Sequence, residues 1–462
     1  MQKGDFVETL IEDMSNEGNG IGHAEEGMTV FAEGAIVGDT VRVGISKVKK
    51  NYAVGKTVKV LSESEFREEA QYICPYVDKC GGCGYGKLRY EKQLELKEKS
   101  VRDKLVRLAG LENPVVRPII GMEEPWRYRN NATVSVYNDV VGFKEKKSNL
   151  VVDCEDCFIQ DEFAVGCANA LRKFIKEKKL KGVFTKLVVR VTSVGEVMTD
   201  VYTAKGKGLD SELSEELAYA LDDGCEECLE SIYIDGKLIL GKATIVEEVG
   251  ELKFEISPLS FFQVNSTQMV KLYDKVAEYA RLKAGDTLLD LYCGVGTIGL
   301  YLLAGSSERR EALKDARVIG IESVKPAVID ANRNAVINYI VNARYFTGKA
   351  EDELPFMMGM KKLYKPNEVN EMVERTPEVT LEHADCAVLD PPRAGCDKDL
   401  LDAVIKAAPD RIVYVSCDPG TLARDIKYIT ENSDYRFIEA TPCDMFPGTV
   451  HCEVVAKLEK RT

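Results

Sequence analysis

The spacing of apolar positions changes along the chain, and each change marks a different kind of structure. Up to about residue 62, short β-rich runs (Asp5–Ile11, Met28–Phe31, Thr40–Lys47 and Tyr52–Leu61) are separated by Gly-containing turns at Asn19-Gly20 and Val37-Gly38-Asp39. Strands this short and this evenly spaced predict a small barrel. The charged stretch Ser62–Glu69 reads as a linker, and a Cys- and Gly-rich loop, Cys74–Gly86, follows it. Leu94, Val101, Leu105 and Leu108 then recur at near-helical spacing, predicting a helix from about Leu88 to Ala109. Between about Trp126 and Phe254 the pattern is mixed. Strands are expected at Asn131–Tyr137, Lys186–Val191 and Val197–Tyr202, with a helix over Phe163–Glu177, and the pattern gives no topology there.

From about Ser257 the reading sharpens. Apolar runs at Thr287–Leu291, Val318–Ile321, Cys386–Leu389 and Ile412–Val415 alternate with helical stretches, which predicts a largely parallel, doubly wound α/β sheet. The run Val450–Leu458 fits an added strand. Two charged stretches, Ser306–Asp315 and about Met357–Glu382, fall outside this alternation and read as surface insertions. The expected units are 1–62, 63–125, 126–255 and 256–462.

Composition narrows the class. Of 462 residues, 45% are apolar, enough for several cores and too many for a disordered chain. The opening residues carry acids and no apolar leader, and no run reaches the roughly 18 apolar residues of a membrane span, so a cytoplasmic location is expected. The 62 basic and 76 acidic residues leave a net charge of −14, which does not advertise a nucleic-acid binder. A local face decides that question, however, and Val41–Leu61 holds Arg42, Lys47, Lys49, Lys50, Lys56 and Lys59 without an acid. Fourteen cysteines in a reducing compartment point to metal or catalysis rather than disulfides. With only three histidines, a zinc site built from several imidazoles is nearly excluded.

Candidate chemistry gathers in the last third. Asp290-Leu-Tyr-Cys-Gly-Val-Gly-Thr-Ile-Gly299 joins a strand to a helix through glycines that let backbone approach a cofactor, although a plain tight turn or a dinucleotide site reads the same way. Glu322, ending the next strand, is placed to accept hydrogen bonds from a ribose. Asp390-Pro-Pro-Arg393 fixes a rigid turn at the carboxyl edge of the sheet. Arg393 stands where methyltransferases of base amino groups carry an aromatic. Cys417 ends an apolar strand just before a helix expected near Pro419, and a thiol there should have a lowered pKa. A cysteine of this kind is more often a small buried hydrophobe; Glu453, a candidate base on the last strand, changes that balance. The pair suits covalent addition of a thiolate to carbon 6 of a pyrimidine, which makes carbon 5 nucleophilic, followed by removal of the carbon 5 proton.

These motifs resemble the RNA uridine-5-methyltransferases. The matching stretches are Ser257-Pro-Leu-Ser-Phe-Phe-Gln-Val-Asn265, Asp290–Gly299, Asp390–Arg393, Val415–Pro419 with Thr421–Arg424, and Asp444–Glu453. The resemblance implies a Rossmann-like class I methyltransferase domain with Cys417 as nucleophile and Glu453 as base. It places Gln263, Tyr292, Gly294, Glu322 and Asp390 around S-adenosylmethionine, and Phe261 and Arg393 at the target base. Lys3–Val7, Asn19–Gly22 and Val37–Val41 are similar to the TRAM module, an OB-like RNA-binding barrel in which Tyr52 and its neighbouring lysines would serve.

Cys74, Cys80 and Cys83, with Cys154 and Cys157 further on, have spacings that fit either zinc or an iron–sulfur cluster. The resemblance to the subgroup with a TRAM module implies a 4Fe–4S cluster on Cys74, Cys80, Cys83 and Cys157, with Cys154 the alternative fourth ligand, in a mixed α+β central region. The x5 spacing departs from that of radical S-adenosylmethionine enzymes, so a structural or RNA-facing cluster is expected. Cys225-x-x-Cys228 has nothing around it to support a site and is read as chance. The same subgroup implies large-subunit (23S) ribosomal RNA as substrate, acted on by a monomer. A transfer-RNA enzyme, a cytosine-5-methyltransferase (which usually carries a second cysteine where Arg393 stands) and a non-catalytic RNA-binding iron–sulfur protein are the alternatives.

Overall fold

The computed structural model of the chain describes residues 1–366 and 372–461. Strands β1 (Phe6–Met14), β2 (Gly20–His23), β3 (Thr29–Glu33), β4 (Thr40–Val48) and β5 (Tyr52–Ser62) close into a barrel in the order β1-β2-β3-β5-β4. The period-2 pattern of β4 turns Val41, Val43 and Ile45 inward. β5 crosses β4 so closely that a side chain at Gly55 would meet the Gly44 carbonyl at 2.5 Å. Gly20, read as part of a turn, instead opens β2; the turn lies just before it, where Gly18 donates to the Ser15 carbonyl. The stretch Ser62–Glu69 is no free linker. Asp39 is fully buried, and it is satisfied there by the Ser64 amide at 2.9 Å and the Arg67 guanidinium at 2.6 Å.

Helix α1 (Tyr90–Arg107) buries Leu96, Lys97, Val101 and Leu105. The middle of the chain forms β6 (Asn131–Tyr137), β7 (Val140–Lys144), β8 (Val151–Asp153), α2 (Glu162–Glu177), β9 (Phe184–Val191), β10 (Val197–Thr203), α3 (Ser211–Gly224), β11 (Leu229–Ile234) and β12 (Lys237–Gly241). Its seven strands run β12-β11-β10-β9-β6-β7-β8, antiparallel except for the β10–β11 pair. Both helices pack on this sheet over a core that includes Leu171, Phe174, Leu217 and Leu221. A hairpin, β13 (Ile245–Val249) and β14 (Leu252–Ile256), leads into α4 (Ser266–Ala280).

The last third is built from β15 (Thr287–Leu291), α5 (Thr297–Ala304), α6 (Ser307–Ala312), β16 (Arg317–Glu322), α7 (Lys325–Ile337), β17 (Ala343–Thr347), α8 (Ala350–Met357), β18 (Tyr364–Pro366), β19 (Met372–Glu374), β20 (Cys386–Leu389), α9 (Lys398–Ala407), β21 (Arg411–Ser416), α10 (Pro419–Asn432), β22 (Tyr435–Cys443) and β23 (Glu453–Lys460). The sheet order is β17-β16-β15-β20-β21-β23-β22, with the first five strands parallel and the last two antiparallel to their neighbours. The chain winds outward in both directions from the β15–β20 pair, so the carboxyl ends of those strands form the switch-point crevice where open α/β sheets bind ligands.

The stretch 306–315 is docked, not loose. It contains α6, its Leu313 is buried, and Arg309 donates to the Tyr301 carbonyl at 3.0 Å. The second charged stretch carries the β18–β19 pair and buries Met357 and Leu381; its residues 367–371 lie outside the described residues. The last strand begins at Glu453, so Val450–Cys452 belongs to the loop before it. Among the described residues no helix is long and apolar enough to cross a membrane.

Candidate active site

On the cofactor side, the turn after β15 bends through three residues with positive φ, Tyr292 at 62°, Gly294 at 53° and Gly296 at 79°. Asp290, fully buried beneath it, accepts from the Gly299 amide at 3.0 Å with one oxygen, while the other has no partner. Burial pushes its carboxyl up to about 7. Glu322 at the tip of β16 accepts from the Gly294 amide at 3.2 Å and the Val324 amide at 2.8 Å, fixing its carboxylate at the crevice. Asp390 ends β20, and burial, with Asp290 adding to it, lifts it to about 7. A cavity of ≈ 320 Å³ opens here, lined by Tyr292, Ile321, Ser323 and Gly348 among others. Its walls are the carboxyl-edge loops where an adenosine-bearing ligand is held in folds of this kind.

On the substrate side, β21 and β23 run antiparallel with Ser416 opposite Val454. Continued one step, that register sets Cys417 across from Glu453. Cys417 is half-buried and Glu453 is buried. Burial, with a smaller push from Asp390, raises Glu453 to about 8, and Arg393 opposes the rise. Cys417 is raised to about 11, first by burial and then by the charge of Glu453, again opposed by Arg393. The expected lowering by the helix is therefore not found: burial, and after it the charge of Glu453, outweigh it. Asp418 caps α10 by accepting from the Gly420 and Thr421 amides at 2.7 and 3.2 Å, so the helix end spends its donors on that carboxylate.

The Ser257–Asn265 loop presents Phe261, 68% exposed, and keeps Phe262 in the core. Three groups outside the motif hold the loop. Arg190 of β9 donates to the Ser260 carbonyl at 2.6 Å, the Asn130 amide donates to the Val264 carbonyl at 3.0 Å, and the Asn130 side chain reaches the Gln263 carbonyl at 3.1 Å. Asp330 adds bonds from the Ser257 and Ser260 hydroxyls. Sequence reading missed Asn130, Arg190 and His451; His451 lies 3.5 Å from the Arg393 guanidinium. Only the position of His451 inside the Asp444–Glu453 stretch gave a signal.

Cys74, Cys80, Cys83, Cys154 and Cys157 line one cavity of ≈ 200 Å³. Among the described residues, the one trio of candidate ligand atoms lying within 4.8 Å of one another is His383, Asp385 and Asp410, so no three of these sulfurs are that close. A single tetrahedral zinc, with Zn–S of about 2.3 Å, needs thiolates about 3.8 Å apart. Cys83 feels the charges of Cys157, Cys80 and Cys74, which together with burial push its thiol up. Cys157 is lowered to about 7 by a hydrogen bond from Cys154 and by the Ile159 and Gln160 amides. Elsewhere Cys225 is buried against Cys167 while Cys228 lies half-exposed, so that C-x-x-C does not converge on a site. The His383 trio sits before β20 and β21, at the edge of the sheet opposite the crevice.

A doubly wound sheet with a glycine turn, an acid at the tip of the next strand and a buried carboxylate at its switch point is the architecture of nucleotide-cofactor folds, the S-adenosylmethionine-dependent methyltransferases among them. Residues 89–461 match the tRNA (Uracil-5-)-methyltransferase family and residues 2–58 match the TRAM domain. The chain belongs to this family of RNA uracil-5-methyltransferases, as its motifs implied. It is similar to an uncharacterized RNA methyltransferase of Bacillus cereus, with 35% identity over 481 residues, covering 99% of this chain and 98% of that one. A second uncharacterized RNA methyltransferase, from Caldanaerobacter subterraneus, is 38% identical over 483 residues at the same coverage. Among solved structures, the Pyrococcus abyssi tRNA (uracil-54, C5)-methyltransferase in complex with S-adenosyl-L-homocysteine superposes with a TM-score of 0.71 at 28% identity, covering 98% of this chain and 100% of its own. The protein is an S-adenosylmethionine-dependent RNA methyltransferase.

Proposed function

We propose that the enzyme methylates carbon 5 of a uridine in RNA through a covalent bond from the Cys417 sulfur to carbon 6, with Glu453 as the base. The observation that carries this reading is the β21–β23 register, which sets the thiol across from the carboxylate beside the Asp390 crevice. Cys417 adds to carbon 6, and the electron pair released across the 5,6 double bond makes carbon 5 a nucleophile. Bound S-adenosylmethionine supplies a methyl group activated as a sulfonium. Glu453 then takes the carbon 5 proton, its raised pKa making it a stronger base than an exposed glutamate, and elimination restores the thiol and the double bond. Arg393 favours the thiolate by its charge. Phe261, exposed at the mouth, offers a stacking face for a uridine swung out of its strand. Gln263, Tyr292, Gly294 and Glu322 hold the donor. The enzyme is proposed to act as a monomer. The test is 5-fluorouridine-substituted RNA, whose fluorine cannot leave as the proton does. A denaturation-resistant adduct should form with the wild type and not with Cys417→Ala; its absence in the wild type would end the covalent scheme.

The substrate proposed is large-subunit ribosomal RNA, from the resemblance to the subgroup with a TRAM module and a cluster. Transfer RNA is the second reading. The P. abyssi tRNA enzyme covers 98% of this chain, barrel included, so an N-terminal barrel does not by itself exclude a tRNA target. Mass-spectrometric mapping of 5-methyluridine in ribosomal and transfer RNA from cells lacking the gene decides between them. The five-cysteine cavity fits a 4Fe–4S cluster held by Cys74, Cys80, Cys83 and Cys157, in a structural role. An anaerobic preparation should be brown, whereas a colourless protein with stoichiometric zinc would overturn the assignment.

A further inference from the structure

The segment Asp444–Cys452 leads directly into Glu453, and it rests on the cysteine-rich loop. The Tyr85 amide donates to the Gly448 carbonyl at 2.9 Å, and the Gly448 amide donates to the Gln93 side chain of α1 at 2.8 Å. Gly448 has φ of 78°, and a side chain built there would stand 3.6 Å from the Cys83 sulfur. One built on Gly84 would meet Val450 at 2.8 Å. Lys97, buried on α1, holds Asp444 at 2.7 Å and the Phe446 carbonyl at 3.1 Å, and the Tyr128 hydroxyl donates to the Pro447 carbonyl at 3.0 Å. The backbone that delivers the base is thus held by α1 and by the Cys83–Tyr85 segment, whose first residue, Cys83, lines the cysteine cavity. Cys417 stands on a different strand, with its own cap in Asp418.

We propose that Gln93 and the Cys83–Tyr85 segment are positioning residues for Glu453, so that metal occupancy of the cysteine cavity governs proton removal from carbon 5 and does not slow addition of Cys417. This rests on the assignment of Glu453 as base and of the cavity as a cluster site. When the cavity is filled, Cys83 is tethered to Cys74, Cys80 and Cys157 and Gly448 is held against it. When it is empty, the clamp loses its outer wall.

Two measurements on the full-length protein test this. Hydrogen exchange is compared between the anaerobically iron-loaded enzyme and the same enzyme stripped with ferricyanide and a chelator. Stripping should speed exchange at Tyr85 and Gly448 while leaving Gly299 at the cofactor turn unchanged. Equal exchange at Gly448 in both forms, or a rise that extends to Gly299, overturns the proposal. Gln93→Ala keeps all five cysteines. It should slow tritium release from 5-tritiated uridine RNA by about a hundredfold, the scale of a 1 Å misplacement, while adduct formation on 5-fluorouridine RNA does not slow. An equal fall in both rates overturns the positioning role. A wild type that forms no adduct fails the parent mechanism instead, and a preparation that takes up no iron fails the cluster assignment; the two failures are read separately from the clamp.

Discussion

Replacing Glu453 by Gln perturbs both halves of the proposed reaction, in opposite directions. In the free enzyme the Cys417 thiol stands near 11 against an ordinary value of 9.0, and the charge of Glu453 is the second cause of that rise after burial. At pH 8 the thiolate fraction is therefore about one in a thousand, where an unperturbed thiol would show about one in ten. An uncharged glutamine keeps the shape and removes the charge. The pKa of Cys417 should fall, and covalent addition should quicken above about pH 8, where Glu453 of the wild type is ionised. The base is lost at the same time, so proton removal should slow by about 10²- to 10⁴-fold, the usual contribution of a positioned base. Ordinary uridine RNA incubated with the donor and Glu453→Gln should then accumulate a methylated, denaturation-resistant adduct that the wild type does not build up. The assay quenches samples from pH 6 to 10, follows adduct on denaturing gels and counts released 5-methyluridine separately. In the wild type the adduct rate on 5-fluorouridine RNA should climb tenfold per pH unit through pH 9; in Glu453→Gln it should level off at lower pH. Near-normal product release by the variant, or an unchanged pH profile, would refute the assignment of Glu453 and its coupling to the thiol.

Glu322→Ala removes a carboxylate fixed by the Gly294 and Val324 amides; losing charged hydrogen bonds of about 1.5–3 kcal/mol should weaken S-adenosylhomocysteine binding by roughly 10- to 100-fold in calorimetry. Lys97→Met strands the buried Asp444 carboxylate and should destabilise the fold by about 3–5 kcal/mol in urea titration, with much of the loss recovered in Lys97→Met/Asp444→Asn. Arg190→Met frees the Ser260 carbonyl and loosens the loop that presents Phe261, so KM for RNA should rise several-fold in steady-state assays while donor affinity stays unchanged.

The parallel sheet was the most legible part of the fold, because Thr287–Leu291 and Cys386–Leu389 are buried throughout and read as largely apolar runs, broken in the first only by Asp290. The barrel was nearly as clear, apart from β2, whose four residues begin at a glycine and carry too little alternation to be seen. The central sheet escaped because its topology depends on a parallel β10–β11 pairing across α3, which no local pattern encodes. At the site, the motif residues were placed through the resemblance of their stretches to a known family. Asn130 and Arg190 were not, since each acts through a backbone carbonyl of a distant loop. The pKa of Cys417 was misread because proximity to a helix end was weighed without the burial of the thiol and the charge of Glu453 beside it.

The bracing of Ser257–Asn265 by Asn130 and Arg190 has a consequence for protein engineering. A fragment beginning near residue 256 would keep the sheet, the glycine turn and both reacting side chains, yet its recognition loop would lack the struts that arrive from the preceding sheet. Such a truncate would also lose Lys97, the partner of buried Asp444, and the core residues Val101 and Leu105, so it should be destabilised as well as poor at gripping its polynucleotide. Transplanting this catalytic half onto a foreign RNA-binding module would therefore require carrying β6 and β9 along with it.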